Sequence, residues 1–70
     1  MQIKIDALKE LMVNDYAGNY NLFARETGIN VALLYRVLNN KANAGLKTIN
    51  MLIDFLKKKD LKIEDYIFLP

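Results

Sequence analysis

Apolar residues recur along most of the chain at three- and four-residue spacings, which is the period of amphipathic α-helices. This spacing predicts helices over residues 5–16, 20–27, 31–39 and 46–58, with a final short helix or turn over 61–68. The side chains expected to form the core are Leu8, Leu11, Met12, Tyr16, Phe23, Ala24, Leu34, Val37, Leu38, Leu46, Ile49, Leu52, Ile53 and Leu56. Strand-like alternation occurs only in residues 2–6, which are either a short strand or part of the first helix. The predicted fold class is all-α, a compact bundle of four to five helices.

The residues between the second and third predicted helices meet the requirements of a tight turn. Two helices that cross steeply bring their backbones close together, and Ala24 is small enough to lie at such a contact. Gly28 can end the second helix with a positive φ, after which Ile29 can pack back on the helix that it leaves. Asn30 can then cap the third helix, and such a cap stabilises a helix by about 0.5–2 kcal/mol. Residues 20–39 therefore have the pattern of a helix-turn-helix.

Length and composition exclude several classes of protein. The 70 residues are expected to form one domain, residues 1–70, and 53% of them are hydrophobic, which is too many for a disordered chain. The absence of cysteine and histidine excludes disulfides, thiolate zinc sites and imidazole catalysis, and there is no glycine-rich phosphate loop. We therefore expect no enzymatic activity, no metal, no cofactor and no small-molecule substrate. The first residues are neither a signal peptide nor a membrane span, and a cytoplasmic location is expected.

The formal net charge of +2 is small, but its distribution along the chain is uneven. Acidic side chains balance or exceed basic ones in residues 1–15 and 54–70. The cationic side chains between these segments are Arg25, Arg36, Lys41 and Lys47, and Glu26 is the one carboxylate there. An anionic partner would be attracted to this central part of the chain.

The stretch FARETGINVALLYRVLN resembles the helix-turn-helix of the lambda-repressor-like family, which includes phage Cro and repressor proteins and many small bacterial regulators. The resemblance continues through NKANAG and LKTINMLIDFL into LKIEDYI, and it covers about residues 19 to 67. It implies a sequence-specific double-stranded DNA-binding transcriptional regulator, a repressor that acts as a homodimer on an operator. Family members usually have polar residues at the first positions of the recognition helix, whereas this chain has Val31, Ala32 and Leu33.

Burial of Leu34, Val37 and Leu38 would leave one face of the third helix outward, and this face is expected to read DNA bases in the major groove. Arg36 can bond guanine O6 and N7 together, and this pairing contributes roughly 1–3 kcal/mol of discrimination. The full set predicted for base readout is Arg36, Val31, Ala32 and Tyr35, in which Val31 and Ala32 would contact thymine methyl groups. The residues predicted to contact the DNA backbone are Asn19, Tyr20, Asn21, Asn39, Asn40, Lys41, Asn43 and Lys47.

Several of these residues also have a purely structural interpretation. Arg36 and Tyr35 could be ordinary helix-surface residues, and Asn39, Asn40 and Asn43 could be turn formers. The basic run 57–59 is better explained as a helix C-terminus, where the dipole favours cations, than as a nucleic-acid patch.

The C-terminal tail, residues 66–70, is more apolar than a chain end requires. Ile67 or Tyr66 can close the core, and the tail is predicted to dock on a second copy of the chain. The predicted dimer contacts are Tyr66, Phe68 and Leu69. The alternative function is a protein-interaction module, such as an antitoxin or anti-repressor, that uses this tail or the third helix to bind a different protein.

Overall fold

Four α-helices make up most of the computed structural model, which describes residues 1–70. They are α1 (Ile5–Tyr16), α2 (Tyr20–Thr27), α3 (Val31–Leu38) and α4 (Leu46–Lys58). Their ends agree with the predicted ends to within one residue, and the all-α class is confirmed. None of these helices combines the length and the apolar character needed to cross a membrane.

The two ends of the chain meet in a small antiparallel ladder. Strand β1 (Gln2–Ile3) pairs with strand β2 (Ile67–Phe68), with Gln2 opposite Phe68 and Ile3 opposite Ile67. The open question about residues 2–6 is thereby answered, because a two-residue strand precedes the start of α1 at Ile5. The predicted fifth helix is only a single 3-10 turn, Ile63–Asp65, because the residues after it satisfy their backbone groups by pairing with β1.

The core lies where the four helices and the ladder meet. Its buried residues are Ile3, Leu8, Leu11, Met12, Tyr16, Phe23, Ala24, Ile29, Leu34, Val37, Leu38, Ile49, Leu52, Phe55, Leu56 and Ile67. At its centre the ring of Phe23 packs against those of Tyr16 and Phe55, with centroids 5.1 and 5.6 Å away. An aromatic cluster of this kind allows a short chain to bury a large apolar area.

The predicted apolar face of α4 differs in detail from the observed one. Leu46 is 68% exposed, because it is the first residue of α4 and lies outside the bundle, and Ile53 is only partly buried. Phe55, which the prediction omitted, is buried instead, three residues after Leu52 on the same face. The apolar face of α4 is therefore turned slightly from the predicted one.

Candidate nucleic-acid interface

The turn between α2 and α3 has the predicted chemistry at each position. Gly28 has φ +79°, and its N–H donates to the carbonyl oxygen of Ala24 at 2.8 Å. Ile29 is buried, and its N–H donates to Oγ1 of Thr27 at 3.3 Å. A non-glycine residue would adopt the left-handed conformation of Gly28 only at a cost, so the sequence fixes where α2 ends.

Asn30 begins α3 as an N-cap. Its Oδ1 accepts hydrogen bonds from the N–H groups of Ala32 and Leu33 at 2.9 and 3.2 Å. These two N–H groups would otherwise lack a partner within the helix. The cap fixes the start of α3, and with it the register of every side chain on that helix.

The two faces of α3 differ sharply in exposure. Leu34, Val37 and Leu38 are buried in the core, and Leu33 is half-buried against it. The exposed residues are Val31, Ala32, Tyr35 and Arg36, which are the four predicted for base readout. Their exposure is confirmed; their contact with bases stays a prediction.

Arg36 is available to a ligand. Its guanidinium makes no hydrogen bond and no ion pair within the chain, because the one ion pair joins Lys59 to Glu26. A guanidinium carries five N–H donors in a planar fork, and none of those of Arg36 has an acceptor within the chain. Val31, in the first turn of the same helix, is 38% exposed and offers only an apolar surface.

A second group of side chains joins the start of α2 to the end of α3. The rings of Tyr20 and Tyr35 pack together with centroids 5.2 Å apart. Nδ2 of Asn39 donates to the hydroxyl oxygen of Tyr20 at 3.1 Å and to the carbonyl oxygen of Tyr35 at 2.7 Å. Nζ of Lys41 lies 5.9 Å from the centre of the Tyr35 ring. Four residues that were predicted as separate DNA contacts thus form one connected cluster.

Lys9 belongs to the same cluster, and the sequence analysis missed it. Its Nζ donates to Oδ1 of Asn39 at 3.5 Å, which brings α1 to the edge of the candidate interface. The sequence does contain a signal for this position. On a helix, Lys9 lies at the border of the apolar face that Leu8 and Met12 belong to. A cation at such a border can reach across its helix to a neighbouring one.

The other asparagines predicted as backbone contacts differ in what their side chains already do. Oδ1 of Asn19 accepts from the N–H of Leu22 at 3.1 Å and caps α2. Asn40 has φ +59° and helps to end α3, which supports the turn-forming interpretation of this residue. Asn40 and Asn43 both line a cleft of about 390 Å³ that also includes Gln2 from β1.

Two further predicted backbone contacts, Asn21 and Lys47, are exposed and make no side-chain hydrogen bond within the chain. Asn21 lies in the first turn of α2, and Lys47 lies in the first turn of α4. A cation in the first turn of a helix opposes the local dipole, so Lys47 gains no stabilisation from that position.

The basic end of α4 lies apart from this cluster. Nζ of Lys59 forms an ion pair with Oε1 of Glu26 at 3.4 Å. The electrostatic interaction with Tyr16, followed by the hydrogen bond and the charge of Glu26, raises the pKa of Lys59 above its usual value. This pairing favours the interpretation of residues 57–59 as a helix end.

The C-terminal tail is divided between the core and the surface. Ile67 is buried and Tyr66 is half-buried against the core, whereas Phe68 and Leu69 are 55% and 53% exposed. Nζ of Lys4 lies 5.0 Å from the centre of the Phe68 ring. Of the three predicted dimer contacts, Phe68 and Leu69 therefore present apolar surface, and Tyr66 presents less.

Comparison with known proteins does not assign this interface. No protein family matches the chain, and neither a curated protein nor a solved structure matches it.

Proposed function

We propose that this protein is a sequence-specific double-stranded DNA-binding transcriptional regulator of the lambda-repressor-like type. In this proposal α2 and α3 form the helix-turn-helix, and α3 is the recognition helix. The observation that carries the proposal is the outer face of α3, where Arg36 is exposed without an internal partner while the opposite face is buried. A helix held in this way fits the major groove of B-DNA, which is about 12 Å wide.

Specificity would come from two kinds of contact on α3. Arg36 would form a bidentate hydrogen-bonded pair with one guanine. Val31 and Ala32 would pack against thymine methyl groups, since neither side chain can donate or accept a hydrogen bond. The expected operator half-site therefore contains a guanine and one or two A·T pairs.

Affinity would come from the cationic centre of the chain. Lys41 and Lys47 are both exposed, and each would neutralise one phosphate. A single copy offers few such contacts, so a homodimer on two half-sites would bind more tightly and with steeper salt dependence. Occupying an operator in the cytoplasm would then block or recruit polymerase, and the resemblance favours repression.

The proposal is tested by titrating the protein into labelled duplex DNA of mixed sequence and following fluorescence anisotropy at rising salt. Binding at low salt that weakens linearly in a plot of log K against log salt concentration is the expected result. Selection of bound duplexes from a random pool would then give the operator. Absence of duplex binding at low salt would refute the proposal.

The exposed tail favours a second candidate, a protein-interaction module such as an antitoxin or anti-repressor. Phe68 and Leu69 carry apolar surface at the end of β2, where a partner chain could cover both. The anisotropy titration separates the two functions, because this module need not bind DNA at any salt concentration.

A further inference from the structure

The main chain after α3 holds Lys41 at a defined place beside that helix. Asn40 has φ +59°, and its N–H donates to the carbonyl oxygen of Val37 at 3.2 Å. The N–H of Lys41 donates to the carbonyl oxygen of Arg36 at 2.7 Å. These two bonds around a left-handed residue form a Schellman motif, in which the second residue after the cap commonly packs on a residue three or four positions before it. Here those two residues are Lys41 and Tyr35.

The packing contact of such a motif is usually apolar, whereas here it joins a cation to an aromatic ring. Nζ of Lys41 lies 5.9 Å from the centre of the Tyr35 ring, within the range of a cation–π contact. The ammonium group has no hydrogen-bond acceptor and no carboxylate partner in the chain, since the one ion pair joins Lys59 to Glu26. Its three N–H donors therefore remain available to an anion while it lies beside the ring.

The ring of Tyr35 is itself held in place by its neighbours. The ring of Tyr20 packs on it with centroids 5.2 Å apart. The Tyr35 carbonyl oxygen accepts from Nδ2 of Asn39 at 2.7 Å and from the N–H of the same residue at 3.1 Å. Its hydroxyl makes no hydrogen bond within the chain, so the ring and the main chain make these contacts.

We infer that Tyr35 is a positioning residue, whose ring holds the ammonium group of Lys41 where it meets a phosphate of the DNA backbone. This inference rests on the proposed function and deepens it, because it gives Tyr35 a role in affinity in place of the base contact expected from the sequence. A lysine that is restrained before binding loses less conformational freedom when it contacts phosphate, so the restraint strengthens binding to every sequence. The ring changes neither the base preference nor the number of phosphates neutralised.

The test replaces Tyr35 by leucine, which removes the ring and keeps an apolar side chain on α3. Duplex binding is followed by anisotropy between about 50 and 200 mM salt. Y35L should bind every sequence about two- to five-fold more weakly, as expected for one lost cation–π contact at an exposed site. The slope of log K against log salt should stay at the wild-type value, because no charge is removed.

The conservative variant Tyr35→Phe distinguishes the ring from the hydroxyl. It keeps the ring and should restore the wild-type affinity and the wild-type sequence preference. A base contact made by the hydroxyl predicts the opposite result, a weaker Y35F protein with a changed preference at one position of the selected operator.

A double-variant cycle separates positioning of Lys41 from general support of α3. In the Lys41→Gln background, Y35L should have no further effect on binding, because the group that the ring positions is absent. The matched control is the Lys47→Gln background, which lacks another exposed cation predicted to contact phosphate and should show the full two- to five-fold effect. A loss of packing between α2 and α3 would instead weaken binding equally in both backgrounds.

A measurement on the free protein tests the contact without DNA. The ring current of Tyr35 should move the NMR signals of the Lys41 side-chain methylene protons upfield in the wild type, and Y35L should abolish this shift. The signals of Lys62, an exposed lysine outside the cluster, should be the same in both proteins.

The possible failures are distinct. If the wild type binds duplex DNA but Y35L weakens the K41Q protein as much as it weakens the wild type, the positioning role is wrong and the proposed function stands. Lysine signals that do not respond to Y35L also refute the positioning role. If the wild type binds no duplex DNA at low salt, both are wrong. Thermal unfolding shows whether Y35L is folded, and Tyr35→Met, which also lacks the ring, replaces an unfolded Y35L protein in every arm.

Discussion

The side-chain amide of Asn39 donates to the hydroxyl of Tyr20 at 3.1 Å and so joins the end of α3 to the beginning of α2. The same amide nitrogen donates to the carbonyl oxygen of Tyr35 at 2.7 Å, and the two tyrosine rings lie 5.2 Å apart. The pair therefore fixes the two helices to each other at the end opposite the turn. Their relative position would determine how α3 enters a groove.

The first prediction concerns this link. Removing the hydroxyl with Tyr20→Phe should destabilise the fold by about 0.5–1.5 kcal/mol, the usual net contribution of one hydrogen bond. In the Asn39→Ala background the same change should cost much less, because the partner is already absent. Urea unfolding of the two single variants and the double variant measures this coupling.

The matched control for that cycle is Tyr35→Phe, because the Tyr35 hydroxyl makes no hydrogen bond within the chain. Its free energy of unfolding should stay close to that of the wild type. Additive effects of the Tyr20 and Asn39 substitutions would show that the hydrogen bond does not stabilise the protein.

The second prediction concerns the turn between α2 and α3. Gly28→Ala forces a side chain into φ +79°, which costs about 1–2 kcal/mol for an L-residue. The new Cβ would lie 3.2 Å from Cε of Met51, a flexible group that can move aside. We therefore expect a lower unfolding midpoint in urea, with backbone strain as the main cause.

Gly45→Ala is the control for this turn. Gly45 has φ −76°, and an added Cβ would meet nothing within 4 Å. The change should alter stability far less than Gly28→Ala. Equal destabilisation by both variants would mean that loss of glycine, and not the left-handed conformation, is the cause.

Local chemistry explains how much of this fold the sequence could predict. Gly28 and Asn30 act through their own backbone and nearest neighbours, so the end of α2 and the start of α3 were predicted correctly. The pairing of Gln2 with Phe68 joins opposite ends of the chain, and no local pattern indicates which distant segment will satisfy a backbone group. Phe55 was missed for a related reason, since its burial depends on the rings of Tyr16 and Phe23.

In the candidate interface, too, local features could be predicted from the sequence and contacts between distant segments could not. Exposure of Arg36 and Tyr35 follows from the helical period once Leu34 and Val37 are buried, so these residues could be placed from the sequence. The contact of Lys9 with Asn39 spans 30 positions and depends on how α1 packs beside α3. That contact could be identified only from the structure.

The third prediction separates base readout from backbone contact. Arg36→Ala should relax the preference for guanine at one position of the selected operator, at a cost of roughly 1–3 kcal/mol on that sequence. Lys41→Ala should weaken binding to every sequence by a similar factor and reduce the salt slope by about 0.9. Selection from a random pool, followed by salt titrations on the preferred and scrambled duplexes, measures both effects.

Arg25 provides a control for Arg36, because it is also an exposed arginine in the last turn of its helix. Arg25→Ala should leave the base preference unchanged. If Arg36→Ala instead weakened all sequences equally, the assignment of Arg36 to base readout would be wrong.

The fourth prediction concerns the tail. Replacing Phe68 and Leu69 by alanine removes exposed apolar surface while leaving the backbone ladder and the buried Ile67 in place. If the tail joins two copies, the variant should dissociate at concentrations where the wild type is a dimer, and its duplex binding should lose part of its salt slope. Sedimentation velocity measures the first effect, and Val13→Ala, at a 58% exposed position on α1, is the control. A double variant that sediments as the wild-type dimer would exclude the tail from the interface, and another exposed apolar surface would then have to join the two copies.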